Sequence, residues 1–239
     1  MTSETTLIFA LIGGILPALL WLWFWLREDV MSPEPRKLLM LTFFAGMAST
    51  LIALTLENAS KPYLPNVLNA LPNLSLYAPI VIWAFIEEAS KFGAAYFTAL
   101  KRRENDEPVD NMIYLITAAL GFAALETAFY LVNPIQNDGV INSIITGNMR
   151  FIGTAPLHIV CSATIGIFMA FAFCKLPRAK NIYAGMGLIT ATILHSLFNF
   201  FIIKDDANLL VVFAVVWVGV IVLLLFFERV KRINQSCVY

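Results

Sequence analysis

Four ionisable groups sit inside apolar runs that leave little room for charge: Glu87, Glu88, Lys91 and Glu126, joined by His158, His195 and the amide Asn199. A charge near the centre of a bilayer-spanning helix costs at least about 2.5 to 3.5 kcal/mol unless it is paired or hydrated, so function is the default reading. Glu87 and Glu88 open a Glu-Glu-x-x-Lys run that ends at Lys91. On a helix Lys91 lies one turn from both carboxylates and can neutralise one of them, while the adjacent carboxylates point about 100° apart. One can face a reaction centre while the other supports it, or both can line a wide cavity. The bland alternative is an ion pair that pins two helices. Glu126 closes a Phe122-x-x-x-Glu126 pattern, with Tyr130 one turn further along the same face. Alone it could be a packing residue bonded to a neighbouring helix. His158 follows Pro156, and Ser162, Gly166 and Ala170 then recur at four-residue spacing, a small-residue stripe that permits close helix contact. His195 and Asn199 are one turn apart on one face. Taken singly the histidines are weak signals. Together these groups offer an activated water, a base for its proton and a donor for an oxyanion, which is what peptide hydrolysis needs.

The elements that must position them are membrane helices. Of 239 residues, 59% are hydrophobic and 13% charged, against roughly 25% charged in soluble domains, which excludes an ordinary soluble enzyme. Sixteen basic and sixteen acidic residues cancel, so nothing points to nucleic acid. A bilayer core needs about 20 apolar residues per helix, and seven stretches qualify, near 6–26, 38–56, 75–100, 111–132, 154–174, 182–203 and 208–227. The first reads as a retained helix, since no basic residue precedes it and no small-residue cleavage pattern follows. The expected fold is all-α: a polytopic integral membrane helical bundle of about seven transmembrane helices, one membrane domain over 1–239, with its polar motifs confined to about 80–200.

Orientation follows from the loops. Arg27, Arg36, Lys37, Lys101, Arg102, Arg103, Lys175, Arg178, Lys180, Arg229, Lys231 and Arg232 fall on one side, and only Lys61, Arg150 and Lys204 on the other. The positive-inside rule then places the N-terminus outside and the C-terminus in the cytoplasm. Residues 133–153 mix Asn and Gly with Val140, Ile141, Ile144, Ile145 and Met149, which reads equally as an interfacial amphipathic helix or a plain loop. Of the cysteines, Cys161 and Cys174 stand roughly 20 Å apart along one helix, too far to bridge, so Cys161, Cys174 and Cys237 are expected to be unpaired thiols.

Counted inward from the predicted helix ends, the polar groups reach compatible depths in the outer half of the bilayer. The chain resembles the PrsW family of intramembrane proteases, within the grouping that includes CAAX-processing and bacteriocin-immunity proteases. The likeness rests on Glu87-Glu88-x-x-Lys91, Phe122-x-x-x-Glu126, His158 with Gly166 eight residues later, and His195-x-x-x-Asn199. The CAAX branch is less similar, having an extra residue before an Arg in the first motif and a His where this chain has Glu126. The resemblance implies a multi-pass protein of the cell membrane that cleaves single-span, membrane-anchored substrates of the anti-sigma-factor kind near the outer face. Three carboxylates against Lys91 leave a formal charge of minus two, which a divalent metal, by preference zinc, would neutralise. Expected ligands are His158, His195 and one or two of Glu88 and Glu126, with Glu87 or Glu88 as general base and Asn199 at the oxyanion. A metal-free version, with one carboxyl protonated and another activating water, stays open. The rival classes are a proton- or cation-coupled transporter, which should show inverted repeats that are not found here, and a non-catalytic scaffold, against which the Glu pair argues.

Overall fold

A computed structural model describes residues 3–28, 33–65, 77–203 and 208–233. The described residues form α1 (Ser3–Leu26), α2 (Arg36–Ser60), α3 (Ala78–Ala95), α4 (Asp110–Asn133), α5 (Gly139–Met149), α6 (Ala155–Phe171), α7 (Pro177–Ile203) and α8 (Leu209–Lys231), with no strand among them. Five apolar helical stretches are long enough to cross a membrane, and one of these, Asp110–Phe171, is 62 residues long and folds as α4, α5 and α6. The remaining span, α3, carries Glu87, Glu88 and Lys91 within its 18 residues, and these charges dilute its apolar character. Among the described residues seven long helices, with a short extra helix between α4 and α6, form a helical bundle of the expected class.

α4 is the axis of the molecule. It packs against α1, α2, α3 and α6, and residues 110–124 are buried without a break, as expected of a helix that is apolar all round and covered on every side. Small residues make this possible. A Cβ added at Gly46 of α2 would fall 2.1 Å from the Ala118 carbonyl oxygen, so the two backbones touch there. On α6 the predicted stripe of Ser162, Gly166 and Ala170 is buried, and Gly166 lies against Met112 of α4, where an added Cβ would come within 2.7 Å of its Cα. That contact carries His158 to the face of α4 that bears Glu126.

The segment left open between helix and loop is helical. α5 buries none of its residues, and Val140, Ile141 and Ile144 stand exposed along it. It is flanked by π turns, Pro134–Asp138 before it and Arg150–Thr154 after it. Cys161 is free and buried, but Cys174 is disulfide-bonded, which corrects the expectation of unpaired thiols; spacing along one helix says nothing about partners elsewhere in the chain. Lys204 and Cys237 lie outside the described residues.

Candidate active site

The expected residues of α3, α4, α6 and α7 converge. Because neighbours on a helix diverge by about 100°, Glu88 points into the bundle and is fully buried, whereas the side chain of Glu87 stays 13% exposed. Lys91, one turn along, is fully buried. Its ammonium lies 2.7 Å from Glu88 Oε1 and 3.4 Å from Glu87 Oε2. It also donates to His158 Nδ1 at 2.7 Å and sits 4.4 Å from the centre of the Phe122 ring. Phe122 thus covers the ammonium from the turn of α4 below Glu126.

Partners fix the two imidazoles. An ammonium can only donate, so His158 Nδ1 accepts, and its Nε2–H donates to Glu126 Oε2 at 3.0 Å. His195 is the reverse: its Nδ1–H donates to Glu88 Oε1 at 2.8 Å. Its Nε2 lone pair then faces Glu87 Oε2 at 3.8 Å. The two rings meet nearly edge to face, 5.3 Å between centres. Ser162 Oγ donates to the second oxygen of Glu88 at 3.3 Å. Both oxygens of Glu88 are therefore engaged, while Glu87 Oε2 is buried without a hydrogen-bond donor.

One member of the cluster carries no motif. Arg150, in the π turn after α5, places Nη2 2.5 Å from Glu126 Oε2 and donates from Nε to Thr127 Oγ1 at 3.0 Å. Its guanidinium lies 4.2 Å from the Tyr130 ring centre. Counting Arg150 with Lys91, the three carboxylates face two cations. Arg150 was legible only as one of three basic residues on the side where basic residues are scarce. Asn199, one turn from His195, is half-buried and makes no side-chain hydrogen bond among the described residues.

Two sets of side chains are grouped closely enough to share a cation, with candidate ligand atoms within 4.8 Å of one another: Glu87, His158 and His195, and Glu88, Cys161 and His195. Glu126, an expected ligand, belongs to neither. Two imidazoles and a carboxylate suit zinc, and Glu87 Oε2, which makes no hydrogen bond, faces the His195 Nε2 lone pair across 3.8 Å with Lys91 to one side at 3.4 Å. The donor chemistry therefore fits a metal. A larger apolar cavity of about 690 Å³, lined by Phe9, Pro17, Leu131, Val140 and Phe151, holds none of these groups.

Residues 34–226 match the PrsW family intramembrane metalloprotease. The chain is 26% identical over 194 residues to Protease PrsW of Clostridioides difficile (strain 630), covering 80% of this chain and 78% of that protein. It is 24% identical to Protease PrsW of Bacillus subtilis (strain 168), covering 80% and 82%. Against Protease PrsW of Halalkalibacterium halodurans the identity is 24% over 230 residues, 94% of this chain and 97% of the relative. No solved structure matches. A family match across most of the chain, on a helical bundle that gathers the Glu, Lys and His residues of all four motifs, places this protein in the PrsW family of intramembrane metalloproteases.

Proposed function

We propose that the protein cleaves single-span, membrane-anchored proteins of the anti-sigma-factor kind close to the outer face of the cell membrane, with Glu87 as the carboxylate that meets the reacting water. The observation that carries this is the contrast within the pair. Glu88 spends both oxygens on Lys91, His195 and Ser162, so it orients His195 and does not face the water. Glu87 Oε2 makes no hydrogen bond and has only the Lys91 ammonium at 3.4 Å and His195 Nε2 at 3.8 Å beside it. Glu126 holds the His158 ring by Nε2 and Lys91 holds it by Nδ1, whereas Glu88 holds His195 by Nδ1 and leaves its Nε2 aimed toward Glu87.

The residues that would hold a divalent metal, zinc by donor set, are His195 through Nε2, Glu87, and His158 once its Nδ1 exchanges the Lys91 ammonium for the ion. When bound, it would lower the pKa of its water toward neutrality and polarise the scissile carbonyl. With one Glu87 oxygen on the metal, its other oxygen would accept the water's proton. The unpartnered amide of Asn199, one turn from His195, donates to the oxyanion. Lys91 pairs with both carboxylates, 2.7 Å from Glu88 and 3.4 Å from Glu87.

The loop charges support an outside N-terminus and a cytoplasmic C-terminus, which puts the Asn133 end of α4, and the cluster seven residues below it, in the outer half of the bilayer. Purified chain in detergent, given a single-span substrate and subjected to elemental analysis, tests the reading. Cleavage with stoichiometric zinc, abolished by a chelator and restored by zinc, is expected. Cleavage by metal-free chain would overturn the metal assignment, and no cleavage of any single-span substrate would overturn the protease reading.

A further inference from the structure

We infer that Arg150 is a positioning residue for the reaction, fixing Glu126 and through it the His158 ring from outside the four motif-bearing helices. The inference rests on the protease reading above. The guanidinium is shared between Glu126 Oε2, Thr127 Oγ1 and the Tyr130 ring, three residues on one turn of α4. A planar fork with donors on separate edges can clamp such a turn, where a point charge could satisfy one partner at a time.

The clamp is itself anchored. Trp21 Nε1 on α1 donates to the Phe151 carbonyl at 3.2 Å, and Trp217 Nε1 on α8 donates to the Ile152 carbonyl at 2.9 Å. Gly153 closes the turn against Phe213 of α8, where an added Cβ would fall 2.2 Å from the ring. Two of the three spans that carry no motif, α1 and α8, thus hold the arm that holds Glu126. Because the same Glu126 oxygen takes both Arg150 and the His158 Nε2–H, the arm fixes the acceptor of that N–H, while the Lys91 ammonium on Nδ1 keeps the proton on Nε2. Without Arg150, the 18% exposed Glu126 side chain is free to turn toward solvent, and the ring loses its fixed acceptor.

The chain has two histidines, so ¹⁵N-histidine labelling in detergent reads both rings. The unsubstituted protein should show one ring protonated at Nε2, His158, and one at Nδ1, His195. Arg150→Gln should shift the His158 Nε2 and Nε2–H signals as their acceptor moves, with the tautomer kept by Lys91, while leaving those of His195. Turnover of a single-span substrate should fall about 10- to 100-fold, the range for losing a partner that orients a ligand histidine, with KM little changed. Arg150→Lys should recover part of the turnover. The double substitution Trp21→Phe with Trp217→Phe should shift the His158 ring in the same direction by less. An unchanged His158 ring in Arg150→Gln, or turnover that falls only in step with thermal stability and is not helped by Lys, would overturn the inference. Failure of the unsubstituted chain to cleave would instead overturn the protease reading, and the labelled rings distinguish the two.

Discussion

The two ends of α4 are both polar, yet their side chains meet different partners. Near Asn133, Glu126 joins Glu87, Glu88, Lys91, Arg150 and both of the chain's histidines. At the Asp110 end, Asp110, Asn111 and Tyr114 are buried with Glu34. There Tyr114 Oη donates to Glu34, the Glu107 amide donates to Asp110 Oδ2 at 2.6 Å, and Asn111 Nδ2 donates to the Pro108 carbonyl at 3.2 Å. Each end even holds a buried carboxylate oxygen without a donor, Glu87 Oε2 and Asp110 Oδ1. Burial and an unmet acceptor are therefore not enough to mark a reaction centre. What separates the two is the side chain beside the carboxylate: an imidazole at 3.8 Å for Glu87, and the carboxyl group of Glu34 for Asp110.

The sharpest way to break this contrast is His195→Ala, which removes the ring that Glu87 faces while Glu88 keeps Lys91 and Ser162. Cleavage of a single-span substrate at matched protein abundance should drop by at least about 10²-fold, and cleavage near the wild-type rate would remove His195 from the reaction. Lys91→Met should act on the fold first, because it leaves Glu88 buried without its cation, a loss of about 3 to 5 kcal/mol. Thermal unfolding in detergent reads it; a stable but inactive Lys91→Met chain would mean that the ammonium acts in the chemistry.

Gly46→Ala pushes α2 off the middle of α4 and should cost about 1 to 3 kcal/mol, weakening both ends together. Gly93→Ala, where an added Cβ meets nothing within 4 Å, is the control and should match wild type. Tyr114→Phe should have the smallest effect, a loss of about 1 kcal/mol for its hydrogen bond to Glu34, with cleavage per folded molecule unchanged. A loss of cleavage out of proportion to stability would extend the reaction centre along the whole of α4.

The site was largely legible because charge inside an apolar helix is conspicuous: Glu87, Glu88, Lys91, Glu126, His158 and His195 each stood out, and they do converge. The division of labour between Glu87 and Glu88 was not legible, since adjacent residues on α3 differ only in which one α6 and α7 cover. Arg150 escaped for the opposite reason, being a loop charge where loop charges are ordinary, and its reach to Glu126 depends on how Trp21 and Trp217 pin the turn. The same spacing argument that placed α5 between helix and loop lacked the one fact that decides it, namely that π turns on either side let a short helix sit between α4 and α6.

The most direct measurement compares Glu87→Gln with Asp110→Asn, each in the membrane at wild-type abundance beside a co-expressed single-span substrate. Both substitutions keep side-chain shape at a buried carboxylate that has an unmet oxygen. Glu87→Gln should fold and lose about 10²- to 10⁴-fold in cleavage, while Asp110→Asn should cleave normally per folded molecule. Normal cleavage by Glu87→Gln, or its failure to fold while Asp110→Asn abolishes cleavage, would contradict the assignment of the reaction to the Glu87 end of the bundle.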